Sequence, residues 1–338
     1  MSHMIRLHKF GDAEVLQYEE LPTPTPGPGE VLVRVQAVGL SWNDVLWRQN
    51  LAAEQARLPA GMGSEMAGTI EALGEGVDDL EIGTPVASFP AGTANRYPTW
   101  GDLVLMPRYA LTRYPQVLSP LQASVHYTAL LFAYFALVDL SNLQPGQHVL
   151  ITEASHCLAP QTVQLAKALG ATVIASTSAA GNREFLRELG ADKVVVTEEQ
   201  DLVLEIERYT EGKGVEVILD QCAGQQMKLL GDVAAQRGKL IMCGVNGGND
   251  TAFPACAAFK KHMQFFRHCV LDFTGHPELG IEPNQDAVRR ALQHINRLTA
   301  EHLLTPVIDK VFAFDDFIAA HRYMETCPNR GRVALLLP

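Results

Sequence analysis

The sequence predicts an α/β protein: a β-rich N-terminal body followed by a doubly wound parallel sheet. Three observations predict it. Beyond residue 147 an apolar, β-rich run, VLIT (149–152), is followed by the amphipathic helix PQTVQLAKALG (160–170) and a second buried-strand pattern, ATVIAS (171–176). Strand, turn, helix and strand within about 30 residues make a βαβ unit, the mononucleotide half of a Rossmann domain. Alternating strands and helices continue to about residue 271, through VEVILD (215–220) and KLIMCG (239–244). Finally, 338 residues are more than one hydrophobic core usually serves, so two domains are expected.

Taken in order, the chain opens with a strand in MIRLHKF (4–10), and PTPTPGPGE (22–30) is a stiff turn-rich segment too short to link domains. VLVRVQAVGL (31–40) alternates like a half-buried strand. GMGSEMAGTIEALGEGV (61–77), IGTPVASF (82–89) and GDLVLMP (101–107) extend this β-rich body, punctuated by glycine and proline. SPLQASVHYTALLFAYFALVDL (119–140) changes to helical periodicity, with Ser119 as N-cap and Pro120 in the first turn. After the alternating region come helix AVRRALQHINRLTAEH (287–302), strand VIDKVFAF (307–314), helix DDFIAAHRYMET (315–326) and strand RVALLLP (332–338).

Composition narrows the function. With 47% hydrophobic and 19% charged residues the chain reads as an ordinary globular protein, and a net charge of -11 argues against nucleic acid or an anionic membrane as partner. Neither a secretory leader nor a bilayer-spanning apolar run is read, and six cysteines without a disulfide-scaffold spacing suit a reducing cytoplasm.

The order GEVLVRV, AVGL, GSEMAGTIEALGEGV, LQPGQHVLI, VQLAKALGATVIA and the closing NRGRVALLLP resembles the medium-chain dehydrogenase/reductase superfamily over nearly the whole chain. Within it, the chain is most similar to the zinc-independent quinone oxidoreductase, or zeta-crystallin-like, group. The resemblance implies a GroES-like catalytic domain from both ends (1–122 and 272–338) and an inserted Rossmann domain (123–271). It implies hydride transfer from NADPH to a quinone or an α,β-unsaturated carbonyl, with a homodimer as the assembly. Where the zinc enzymes carry a cysteine and a histidine, this chain has Ser41 and Ser64, and no cysteine precedes Cys157. Serine is not a usual zinc ligand, so no metal is expected. On the substrate side the resemblance offers Ser41 and Asp44 in GLSWND, with Tyr127 as a further polar candidate. Asp44 also reads as a structural acid, and Tyr127 as core packing.

The nucleotide turn departs from the group's pattern. A-S-G-G-V-G is replaced by Ala154-Ser155-His156-Cys157-Leu158-Ala159. Glycine there tolerates positive φ and lets backbone N–H groups approach phosphate. A non-glycine residue in left-handed geometry costs roughly 1–2 kcal/mol. Weak NADPH binding is therefore expected, through Ser155, His156, Cys157 and Leu158, with His156 as a compensating donor. Ser178 and Arg183 beyond the second strand are the candidates for a 2′-phosphate. Cys222, Gly244, Val245 and Arg332 occupy positions where the group approaches ribose and nicotinamide. The alternative is a repurposed member that binds a ligand or partner in the interdomain cleft without dinucleotide.

Two further expectations come from strand order. Cys157, Cys222 and Cys243 all follow strand ends that open into one crevice, which allows a thiol site of lowered pKa beside His156. The alternative is that each is a small buried hydrophobe. QFFRHCVL (264–271) is an apolar strand suited to a sheet edge that a second copy could cover.

Overall fold

A computed structural model describes residues 1–326 and 330–338; Cys327 and Asn329, the first residue of the closing NRGRVALLLP segment, lie outside them. The chain forms two compact units, one of Met1–Thr128, Val270–Ala300 and Pro306–Pro338, the other of Ala129–Cys269 and Glu301–Thr305. The junctions fall six residues after and two before those read from the sequence, the first of them inside the apolar helical stretch after Ser119.

The second unit is a six-stranded parallel sheet. Its strands are β1 (His148–Ile151), β2 (Thr172–Thr177), β3 (Lys193–Val196), β4 (Val215–Asp220), β5 (Ala234–Met242) and β6 (Gln264–Arg267). Their order across the sheet is β3-β2-β1-β4-β5-β6. The chain winds outward from β1 in both directions, so the switch point lies between β1 and β4. One register row carries Ile174, Leu150, Ile218, Leu240 and Phe265 across five strands. The first four are wholly buried, in a cluster that also takes Val195, Ile206 and Leu230. Helices cover both faces of such a sheet, which is why its strands read as continuous apolar runs rather than alternating ones.

In the first unit, Arg332–Leu336 pairs antiparallel with Glu30–Leu40, Val333 opposite Leu40, so the two ends of the chain share one seven-stranded sheet. A three-stranded sheet, opened by Ser2–Leu7, accompanies it.

Ser119 caps the helix Pro120–Ala123 as read, accepting the Gln122 N–H at 3.3 Å while the Gln122 side chain accepts the Ser119 N–H at 2.9 Å. The helix Tyr127–Tyr134 follows, widening into a π-turn over Phe135–Leu140. Contrary to the sequence reading, Pro120–Leu140 is long and apolar enough to cross a membrane by composition; 83% of its apolar window is buried within the fold. The predicted strand QFFRHCVL is shorter than read: β6 ends at Arg267, and Leu271 starts the short helix Leu271–Thr274.

Leu150 lies wholly buried within the register row, whereas Leu204 on the helix Leu202–Tyr209 is 49% exposed. Leu150→Ala should lower stability by about 2–5 kcal/mol, and Leu204→Ala should change it by about 0.5 kcal/mol at most. Urea midpoints of the two variants check this; equal shifts would contradict the placement of the core.

Candidate functional site

The ends of β1, β2, β4 and β5 build the candidate site. In a doubly wound sheet the loops after these strands open on the crevice that takes a ligand. After β1 the chain turns through Thr152–Leu158 into the helix Ala159–Ala168, which has proline in its first turn. Cys157 adopts φ 48° and Glu153 φ 43°, so two non-glycine residues hold left-handed geometry within one turn. Two of the turn's N–H groups are used within it, and a third position has none. The His156 N–H goes to the Glu153 carbonyl at 3.1 Å, the Ala159 N–H goes to the His156 carbonyl at 2.9 Å, and Pro160 has no N–H.

Side chains of the turn are also engaged. Ser155 is fully buried and accepts the Asn182 amide at 3.0 Å; Asn182 donates equally to Thr177 Oγ1. Ser155 thus binds the turn to the chain beyond β2 rather than facing a ligand. The Glu153 carboxylate accepts the Ser178 hydroxyl at 3.3 Å and lies 3.7 Å from His156 Nε2. Arg183 is ion-paired with Glu199, from beyond β3, at 2.5 Å. Both residues offered to a 2′-phosphate therefore already face a carboxylate.

On the other side of the switch point, Asp220 accepts the Thr152 hydroxyl and the N–H groups of Cys222 and Ala223, each at 3.0 Å. Thr152 Oγ1 in turn accepts the Gln221 N–H at 3.0 Å. Asp220 is buried and occupied in shaping this turn. Gly244, after β5, sits where a Cβ would come within 2.7 Å of the Gln221 carbonyl, so its lack of a side chain lets two strand-end loops close together. Val245 beside it is 60% exposed. Burial pushes the Cys222 thiol up to about 11, helped by Asp220, and pushes the Cys243 thiol up as well. For Cys222 and Cys243 this favours the alternative of small buried side chains over thiols of lowered pKa: away from water the thiolate is the disfavoured form. Among the described residues, no three His, Cys, Asp or Glu side chains group closely enough to hold a metal ion.

The first unit places the remaining candidates. Ser41 is the N-cap of the helix Trp42–Arg48, and Asp44 closes its capping box, accepting the Ser41 N–H and hydroxyl at 2.8 Å each. Tyr127, offered as a polar candidate or as core packing, is buried as the packing reading has it; it donates to Asn296 Oδ1 at 2.6 Å, and burial raises its pKa. Its neighbour His126 is held to about 3 by burial and contacts Thr299 Oγ1 at 2.8 Å. Arg332, expected at the cofactor, is buried in an ion pair with Glu65 at 2.6 Å. A zinc ion does not fit these residues: Ser41 is spent on a helix cap, and Glu65 faces a guanidinium. Glu153, Asn182 and Glu199 were not singled out from sequence. The one available signal was a charged residue immediately following the VLIT strand.

Residues 27–106 match the alcohol dehydrogenase GroES-like domain, and residues 161–278 match the zinc-binding dehydrogenase family. The chain belongs to the medium-chain dehydrogenase/reductase superfamily. Among curated relatives of this superfamily member, a phenolphthiocerol/phthiocerol polyketide synthase from Mycobacterium tuberculosis is 28% identical over 335 residues. The match covers 99% of this chain but only 15% of that much longer protein. The human synaptic vesicle membrane protein VAT-1 homolog is 29% identical over 341 residues, covering 97% of this chain and 84% of its own length. Among solved structures, an NAD-dependent alcohol dehydrogenase superposes with TM-score 0.89 at 25% identity, covering 99% of this chain and 100% of that one. The Escherichia coli quinone oxidoreductase complexed with NADPH gives 0.84 at 24%, covering 99% of each. The CurK enoyl reductase gives 0.83 at 24%, covering 100% of this chain and 99% of that one.

Burial raises the Asp44 carboxyl from 3.8 to about 7, against the two hydrogen bonds from Ser41. A carboxyl raised in the fold stabilises the protein below its unfolded pKa, and that contribution is lost as pH rises through the folded value. The melting temperature should therefore fall from pH 4 to pH 8 more steeply for the native chain than for Asp44→Asn. Parallel melting curves across that range would show that Asp44 titrates as an ordinary acid.

Proposed function

We propose that this protein is a zinc-independent, nicotinamide-dinucleotide-dependent oxidoreductase that reduces a quinone or an α,β-unsaturated carbonyl compound. The observation that carries the reading is the switch-point crevice. A β3-β2-β1-β4-β5-β6 sheet leads from β1 through a tight turn to a helix N-terminus, and Gly244 lets the β4 and β5 loops close together. The turn keeps left-handed backbone at one of the replaced glycine positions, Cys157, and at Glu153 just before the motif, which supports a turn that still fits a dinucleotide. The quinone oxidoreductase and enoyl reductase among its structural neighbours support the substrate class.

A bound reduced nicotinamide supplies the hydride, and the protein's part is to bind, orient and exclude water. The helix N-terminus after Leu158 and the His156 side chain are our candidates to meet the pyrophosphate, and the exposed Val245 our candidate to pack beside the ribose. No zinc is needed to polarise a quinone or an enone, and the serines at 41 and 64 agree with that. The expected NADPH preference loses its support at Ser178 and Arg183, which are engaged by Glu153 and Glu199.

Fluorescence titration with NADH and NADPH, followed by turnover of benzoquinone and an aliphatic enal, tests the proposal. We expect saturable binding of at least one dinucleotide and oxidation of the bound cofactor by one acceptor class. Binding without turnover of either class would sink the substrate reading. Absence of binding would return the chain to the alternative of a repurposed, cofactor-less member.

We also propose a homodimer. β6 is an edge strand, and Phe253, in ring contact with Phe265 of β6 at 4.6 Å, and Phe259 are exposed. A second copy along this edge would cover them. Light scattering at micromolar concentration should give twice the chain mass; a monomer mass would end this proposal.

A further inference from the structure

We infer that Glu153 is a specificity-determining residue of the nucleotide crevice, binding the adenosine ribose of NAD(H) and repelling the 2′-phosphate of NADP(H). The inference rests on the dinucleotide reading above and fixes which dinucleotide it is.

The ribose corner of a doubly wound domain lies at the end of β2, where an acidic side chain holds the 2′-hydroxyl or a basic one holds a 2′-phosphate. At that corner this chain has no acid of its own: β2 ends at Thr177, followed by Ser178 and Ala179. The acid arrives from the neighbouring loop. Glu153, the second residue past β1, takes left-handed geometry at φ 43° and reaches the Ser178 hydroxyl at 3.3 Å. A glutamate at such a φ is strained, and a strained residue persists where the surroundings hold it. Here Ser178 and His156 hold its carboxylate, half-buried, beside β2.

The cations that would welcome a phosphate are missing from the corner or already engaged. Asn182 is buried between Ser155 and Thr177 and carries no charge. Arg183 is paired with Glu199. His156 faces Glu153 itself at 3.7 Å. A 2′-phosphate brought to Ser178 would meet the Glu153 carboxylate first, whereas a 2′-hydroxyl can donate a hydrogen bond to it. Like charges at a half-buried site repel with weak screening. The choice made by this corner is therefore opposite to the NADPH preference expected from Ser178 and Arg183 in the sequence.

Dissociation constants for NADH and NADPH, measured by fluorescence titration on the native chain, Glu153→Gln and Glu199→Gln, test the inference without relying on turnover. Gln is isosteric with Glu and keeps the turn's backbone demand, and unchanged circular dichroism confirms folding. The native chain should bind NADH roughly tenfold or more tighter than NADPH, the size expected for one like-charge contact. Glu153→Gln should bring the two within about threefold, mainly by tightening NADPH, and Glu199→Gln, which releases Arg183, should tighten NADPH alone. Native binding of NADPH as tight as NADH, or an unchanged ratio in Glu153→Gln, would overturn the inference while leaving the dinucleotide reading standing. Absence of binding of both cofactors by all three proteins would overturn both.

Discussion

The Asp220 carboxylate is the constraint on which the candidate site depends. It is buried at the end of β4 and accepts three donors: the Thr152 hydroxyl from beyond β1 and the N–H groups of Cys222 and Ala223 in its own loop. Through Thr152, which also takes the Gln221 N–H, the two central strands are tied together at the point where the winding reverses. A buried carboxylate is tolerated only when its lone pairs are satisfied, and here they are. With the β1 and β4 ends joined, the turn after β1 is fixed at one end and the helix Ala159–Ala168 at the other.

That fixed frame explains how the turn keeps its shape without glycine. Left-handed backbone costs an L-residue about 1–2 kcal/mol, because Cβ crowds the carbonyl. Glu153, Cys157 and Ala223 all carry it, on the two loops that Thr152 and Asp220 join. The strain is held by hydrogen bonds around it: Ala154 N–H to the Ser176 carbonyl, Asn182 to Ser155, and Ser178 to Glu153. Because these left-handed positions carry side chains, the crevice holds chemistry that glycines there would not. At Glu153 the gain is a carboxylate; at Cys157 it is a thiol beside the helix N-terminus.

In the first unit the same economy has a different outcome. Ser41 and Asp44, which resemblance offers as catalytic groups, cap a helix. Glu65 and Arg332 neutralise one another in the core, where either alone would be costly. Tyr127 and His126 spend their polar atoms on Asn296 and Thr299. Polar residues that a motif marks as reactive are here the partners that let polar groups be buried.

The sequence by itself determined the architecture of both units. VLIT, ATVIAS and VEVILD became β1, β2 and β4 within a residue or two, because strand periodicity and glycine punctuation are local signals. It also showed that the phosphate turn lacked glycine. What it could not decide is which way each side chain points and what it meets. Arg183 reads as a phosphate ligand until Glu199, 16 residues on, closes the ion pair. Ser178 reads the same way until Glu153, 25 residues earlier, takes its hydroxyl. Those contacts exist only because β1, β2 and β3 lie side by side, and parallel neighbours in a sheet are joined by long crossovers. The charge beside the end of β2 is therefore a property of the tertiary structure, since it is set by residues that the sheet brings together and the chain keeps apart.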